Sequence, residues 1–174
     1  MYHLVVSLSD VDRGVYETLD LRLAQHPSES VRYLLTRTLA YCLSFQEGIA
    51  FSKGGLSTAE QPPITVHDAT GVLMSWIDIG APSAERLHKA TKAARSVAVF
   101  SCVELWLLQR EAASRPIHKV ETIEVTLLDA TFLDELAPQL KRNLDVELTR
   151  TDGQLYVTLG GVSFESTVTA ATLV

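Results

Sequence analysis

The spacing of apolar residues changes period along the chain, and each change marks an element. "YHLVVSL", residues 2–8, is rich in β-formers and runs into the turn-like "SDVDRG". "YETLDLRLAQ" sets Leu19, Leu21 and Leu23 against Asp20, Arg22 and Ala24, the period of two of a half-buried strand. Together they predict an N-terminal hairpin. From about Pro27 to Leu43 the period becomes helical, with Val31, Leu34, Leu35, Leu39, Cys42 and Leu43 three and four apart. Pro27 suits the first helical position, and Glu29 then falls in the first turn, at the positive end of the helix dipole. On this spacing Glu29, Tyr33 and Arg37 lie on a different face from the apolar stripe.

Further on, "GIAFSKGGLS" predicts a short strand entering a glycine turn at Gly54–Gly55, followed by a polar loop with a short strand inside it up to Gly71. "GVLMSWIDIG", 71–80, is an apolar strand. Pro82, Ser83 and Glu85 open a second helix, 83–95, whose thin apolar side is Leu87, Ala90, Ala93 and Ala94. "SVAVFSC", 96–102, is a continuous apolar strand. Strand, helix and strand in this order predict a right-handed crossover and a buried parallel pair. "VELWLLQREAA" reads as a helix with Trp106 as a core anchor, and 120–128 as a third core strand. A short helix interrupted by Pro138 follows, then a hairpin turning at Asp152-Gly153, and a last strand in "VSFESTVTA". The expected architecture is one α/β (α+β) domain over 1–174: a mixed β-sheet with flanking helices plus N- and C-terminal hairpins.

Composition narrows the function classes. The chain has 174 residues, 47% of them apolar, and a net charge of −6. That is enough to build a core, and the acidic balance argues against a general nucleic-acid coat, though not against a local basic site. No apolar run reaches membrane-spanning length. The N-terminus has no basic lead, so no export signal is read, and a cytoplasmic location is expected. Cys42 and Cys102 read as small buried hydrophobes in a reducing compartment rather than as a disulfide. The five histidines show no metal-ligand spacing.

Asp78 stands out among the candidates for chemistry. A carboxylate on "SWIDIG" must sit at the wet end of its strand, be hydrogen-bonded or bind a cation, because burying it unpaired is costly. The simpler reading is an aspartate that caps a turn. On the following helix Arg86, Lys89 and Lys92 recur every third residue, with His88 and Arg95 nearby. A solvated face explains this stripe, and a contact to a nucleic acid or another phosphate-bearing ligand is the functional alternative.

The order and spacing of "HPSE" at 26–29, Arg37, Glu47, Phe51, Lys53-Gly54, Leu56-Ser57, "WIDIG" at 76–80, Pro82, Arg86 and Lys89-Ala90 resemble the YaeQ family, most densely from Asp12 to Val99. The resemblance implies a variant of the PD-(D/E)XK nuclease core, in which carboxylates converge on Mg²⁺ or Mn²⁺, the metal activates a water, and a lysine assists. Carried over, Glu29 matches the helix glutamate and Asp78 the strand acid. The pattern departs at Gln61-Pro62-Pro63, where Pro63 replaces an aspartate, and at Gly80, where the lysine would stand. Glu47, Glu60 or Asp68 are the candidate replacement acids, and Lys53 or Lys89 the candidate cations. The expectations are a metal site holding Glu29, Asp78 and Glu47, with the two carboxylates one bridging water or metal apart. A nuclease with an eroded site, or a non-catalytic binding module on the same fold, would follow from it.

Overall fold

The computed structural model describes residues 1–53 and 61–174. The predicted turn at Gly54–Gly55, the motif residues Leu56 and Ser57, and Glu60 lie outside the described residues. In chain order the elements begin with β1 (Tyr2–Asp10), β2 (Val15–Leu23), α1 (Val31–Leu43), β3 (Ile49–Phe51), β4 (Ile64–His67) and β5 (Leu73–Ile79). They continue with α2 (Ala84–Ala93), β6 (Ser96–Ser101), α3 (Leu105–Ala112), β7 (Glu124–Leu127) and α4 (Ala130–Leu136). The chain closes with β8 (Asn143–Thr151), β9 (Gln154–Leu159), β10 (Val162–Thr167) and β11 (Thr169–Ala171).

The two predicted hairpins are not separate appendages. They join through a parallel pairing of β1 and β8, which runs in register from His3 opposite Asn143 to Asp10 opposite Arg150. The result is a sheet of order β10-β9-β8-β1-β2. Leu4, Val6 and Leu8 of β1 and Leu19, Leu21 and Leu23 of β2 are its buried row. The alternation read from the sequence thus faces the core as expected.

A second sheet has the order β11-β7-β6-β5-β4-β3. The strands expected at 71–79, 96–102 and 120–128 share it, with β5–β6 and β6–β7 parallel. Strand β7 is shorter than predicted because Val120–Thr122 forms a 3₁₀ turn ahead of it. After β10 the chain crosses from the first sheet to the second, where β11 pairs antiparallel with β7.

Helix α1 begins later than its proline suggests. The cap is Ser30, whose hydroxyl accepts from the Tyr33 N–H at 3.1 Å, so Glu29 lies before the helix and not in its first turn. Ahead of it, the Glu29 N–H donates to the His26 carbonyl at 2.8 Å and closes His-Pro-Ser-Glu into a turn. A serine oxygen can take one of the orphan helix N–H groups, which proline at the first position cannot do. Nor does α1 keep a polar face. Every residue from Leu34 to Ala40 is buried, because one apolar cluster joins α1 to Leu4 and Leu8 of the first sheet and to Ile77 and Ile79 of the second. The buried Thr36 and Thr38 hydroxyls donate to the carbonyls four residues back, at 2.7 and 2.8 Å.

The other face of the second sheet is covered by α2 and α3. Ala84, Leu87 and Ala90 of α2 and Leu108 of α3 cluster with Trp76, Val97 and Val99. Along β5, therefore, Ile77 and Ile79 point toward α1, and Trp76 points toward α2. Trp106 is not the core anchor expected of it. It is 57% exposed, with the Arg110 guanidinium 5.2 Å from its ring centre.

Two carboxylates and their arginines

Asp78 and Glu29 lie on opposite sides of the second sheet. Asp78 follows Trp76 onto the α2 face: the Trp76 indole N–H donates to its Oδ2 at 2.9 Å. From α2, Arg86 donates through Nε to both carboxylate oxygens, at 3.1 and 2.9 Å, and through Nη2 to Oδ1 at 2.9 Å. Nη2 also reaches the Gln61 carbonyl at 3.1 Å, and the guanidinium lies 5.3 Å from the Trp76 ring centre. Ser83 sets this up by capping α2, its hydroxyl accepting from the Arg86 N–H at 3.1 Å.

Glu29 is matched in the same way on the α1 side. Arg37 donates to Oε2 through Nε at 3.1 Å and to Oε1 through Nη2 at 3.2 Å, with a further bond from Nη2 to the Ala24 carbonyl at 2.9 Å. Both side chains are almost wholly buried, at 2% and 0% exposed. Removing one partner of such a pair costs about 3–5 kcal/mol, because the other charge is left buried and uncompensated. In both pairs eight residues separate acid from arginine.

The expected two-carboxylate metal site is therefore not assembled. The alternation of β5 sends Asp78 to one face of the sheet, while α1 and its Arg37 hold Glu29 on the other. A divalent cation needs about six oxygen ligands at close range, and the carboxylate oxygens of both residues already accept arginine hydrogen bonds. Among the described residues, no three His, Cys, Asp or Glu side chains gather in a way that could hold a metal. These residues do not fit the group that the resemblance implies.

The remaining candidates separate further. Glu47 is exposed in the turn before β3. Asp68 closes a turn, its Oδ1 accepting from the Thr70 N–H, the Thr70 hydroxyl and the Val72 N–H at 2.9, 2.7 and 2.9 Å. The Thr70 hydroxyl is the main cause that holds its carboxyl below the ordinary 3.8. Lys89 and Lys92 are exposed on α2, and Lys53 is exposed at the end of β3. Lys53 does share a place with the Asp78 group. It lines a groove of about 400 Å³ together with Gln61, Pro62, His67 and Trp76.

Both departures from the resemblance have a local cause. Gly80 takes φ +89°, a left-handed conformation that a lysine would adopt only under strain. Pro63 is buried, and its carbonyl accepts from the Ser52 N–H at 2.9 Å, tying the entry of β4 to the end of β3. Sequence reasoning missed the two arginines as partners of the acids. The signal was available at Arg86, on a helix directly after the strand end that carries Asp78. For Glu29 it was weaker, since that residue precedes its helix.

Cys42 and Cys102 are both free thiols. Burial pushes the Cys42 thiol up to about 12, which makes it an inert core residue. No helix among the described residues is long and apolar enough to cross a membrane.

A family model described as YaeQ protein matches residues 1–168. The relative named Uncharacterized protein YaeQ from Salmonella typhi is 28% identical, over 98% of this chain and 94% of the relative. The protein of the same name from Escherichia coli is 26% identical with the same coverage. Among solved structures, the YaeQ protein from Pseudomonas syringae superposes with a TM-score of 0.87 at 25% identity, over 98% of this chain and 94% of the other. The YaeQ protein from Xanthomonas axonopodis pv. citri gives 0.86 at 27%, over 98% and 97%.

Proposed function

Given that the chain belongs to the YaeQ family, we propose that it is a non-catalytic binding module for a phosphate-bearing ligand of the single-stranded nucleic-acid class. The ligand lies in the groove lined by Lys53, Gln61, His67 and Trp76. One observation carries this reading: the Asp78 carboxylate is neutralised by Arg86 and bonded by Trp76. An acid so engaged neither recruits a metal nor repels a phosphate. What the groove then presents is the Lys53 ammonium and the His67 imidazole, with the buried Trp76 behind them and Lys89 and Lys92 on the neighbouring α2. Its volume of about 400 Å³ is within the range of roughly 300–1,000 Å³ typical of small-ligand sites and suits one nucleotide unit.

The test is fluorescence anisotropy with labelled single-stranded DNA and RNA twelve-mers in EDTA, alongside a cleavage assay in Mn²⁺. Binding is expected without metal. It should weaken as salt rises, in proportion to the phosphates neutralised, and weaken again in Lys53→Ala. No cleavage is expected. Absence of binding at about 50 mM salt, where phosphate contacts are strongest, would sink the proposal. Mn²⁺-dependent cutting that disappears in Asp78→Asn would replace it with a metal nuclease.

A further inference from the structure

On the α1 face of the second sheet, remote from the Asp78 side chain, a cleft of about 230 Å³ opens at the N-terminal ends of β5 and β6. Two arginines from the first sheet's end line it, and they are held very differently. Arg13 is spent on the fold: its Nε donates to the Asp10 Oδ2 at 2.7 Å and its Nη1 to the Phe45 carbonyl at 3.0 Å. Arg150 is held mainly by charge. Its Nε is 3.5 Å from the Asp12 Oδ2 and 3.9 Å from the Asp10 Oδ1, and among the described residues that buried N–H has no hydrogen-bond acceptor. The two carboxylates enclose that Nε, while the side chain as a whole is 24% exposed and lines the cleft, so the rest of it stays open to a ligand. Glu124, at the start of β7, also lines the cleft. It is exposed, and among the described residues its side chain has no hydrogen-bond or ion-pair partner.

We propose that this cleft binds a small zwitterion of amino-acid size, its carboxylate on the Arg150 guanidinium, its ammonium on Glu124, and its aliphatic part over Ile77 and Phe100. Charge decides the ligand class. Asp10 and Asp12 offset Arg13 and Arg150, and Glu124 leaves the cleft with one net negative charge. A plain anion meets no net positive field there, and a plain cation leaves the planar fork of Arg150 unused. A molecule carrying both charges answers both groups. Size decides the rest. The cleft is smaller than the roughly 300–1,000 Å³ of drug- or nucleotide-sized sites. It holds about eight waters at roughly 30 Å³ each, the bulk of a free amino acid. Ser75 and Ser96, hydroxyl to hydroxyl at 2.8 Å, add a polar rim.

The experiment is a thermal-shift screen of glycine, L-alanine, L-valine, L-leucine and γ-aminobutyrate, with propionate and propylamine as singly charged controls, followed by calorimetric titration of any that act. At least one zwitterion should raise the melting temperature at about 10 mM, as a ligand of the folded state does by mass action. The two single-charge controls should not. Loss of one charged hydrogen bond should weaken the titrated affinity about tenfold in Glu124→Gln and again in Arg150→Gln. Glu124 is exposed, so its variant keeps the test open even if Arg150→Gln folds poorly. No shift by any zwitterion, an equal shift by propionate, or an affinity indifferent to Glu124→Gln would overturn the proposal.

Discussion

An aspartate on an apolar strand has few ways to exist, and Asp78 takes the one that leaves no charge unanswered. Its position alone, before Gly80 and a new helix, marked it as hydrogen-bonded, at a wet end or cation-bound; which of these holds depends on Arg86, eight residues on. Asp12 shows the same physics in the open. Its carboxylate accepts from the Asp152 and Gly153 N–H groups at 2.7 and 3.1 Å, clamping the β8–β9 turn onto the β1–β2 turn. The Gly153 amide is the main cause that lowers its carboxyl below the ordinary 3.8, with the Asp152 amide next. A group depressed in this way binds fewer protons folded than unfolded. Its stabilisation is fully present above the unfolded value and is lost as pH falls through the folded one. Asp12→Asn should therefore lower the urea midpoint at about pH 6, and the loss should shrink as pH falls below the ordinary carboxylate range. A loss that does not change as pH falls would show that the carboxylate charge is not what matters.

Single turns decide much at the scale of elements. Gly48 precedes β3 at φ +89°, and a Cβ there would stand 2.0 Å from the His67 carbonyl oxygen. The backbones are that close because the His67 N–H donates to the Gly48 carbonyl at 3.1 Å, closing the β3–β4 pair. Gly80 has the same φ but open space around it. Gly80→Ala should lose only the backbone strain, about 1–3 kcal/mol. Gly48→Ala should lose more than that, and its melting temperature should fall clearly below that of Gly80→Ala. Matching losses would mean that the β3–β4 entry yields easily. The start of α1 teaches a related lesson. Proline at 27 and a helical apolar period suggested a helix from that point, yet the Ser30 hydroxyl is the better cap, and Glu29 was freed to become the buried partner of Arg37. Periodicity located the helix; the competition between two start signals three residues apart was settled by which side chain could satisfy an amide.

At the scale of the whole molecule, the pairing of β1 with β8 joins the first hairpin to the last. Those strands are central in their sheet, while β2 and β10 are its edges. Amide hydrogen exchange should accordingly be slowest, and of similar rate, in β1 and β8, and faster on the outward-facing amides of β2 and β10. If β8 exchanged like an edge strand while β1 stayed protected, the two hairpins would be opening independently. Local pattern was enough for the hairpins, the βαβ crossover with its parallel pair β5-β6, the place of β7 as a core strand and the buried alternation of β2, because backbone hydrogen bonding and the 2.0 and 3.6 periods act over a few residues. Asp78 was also visible, since a charge among apolar neighbours needs a partner wherever it is. The tertiary structure alone decided that the hairpins form one sheet. It buried α1 on nearly every side, sent Asp78 and Glu29 to opposite faces, and gave each acid an arginine as its partner. Those outcomes depend on which surfaces meet across distant parts of the chain, and on burial that makes an unpaired charge more costly than any local preference can offset.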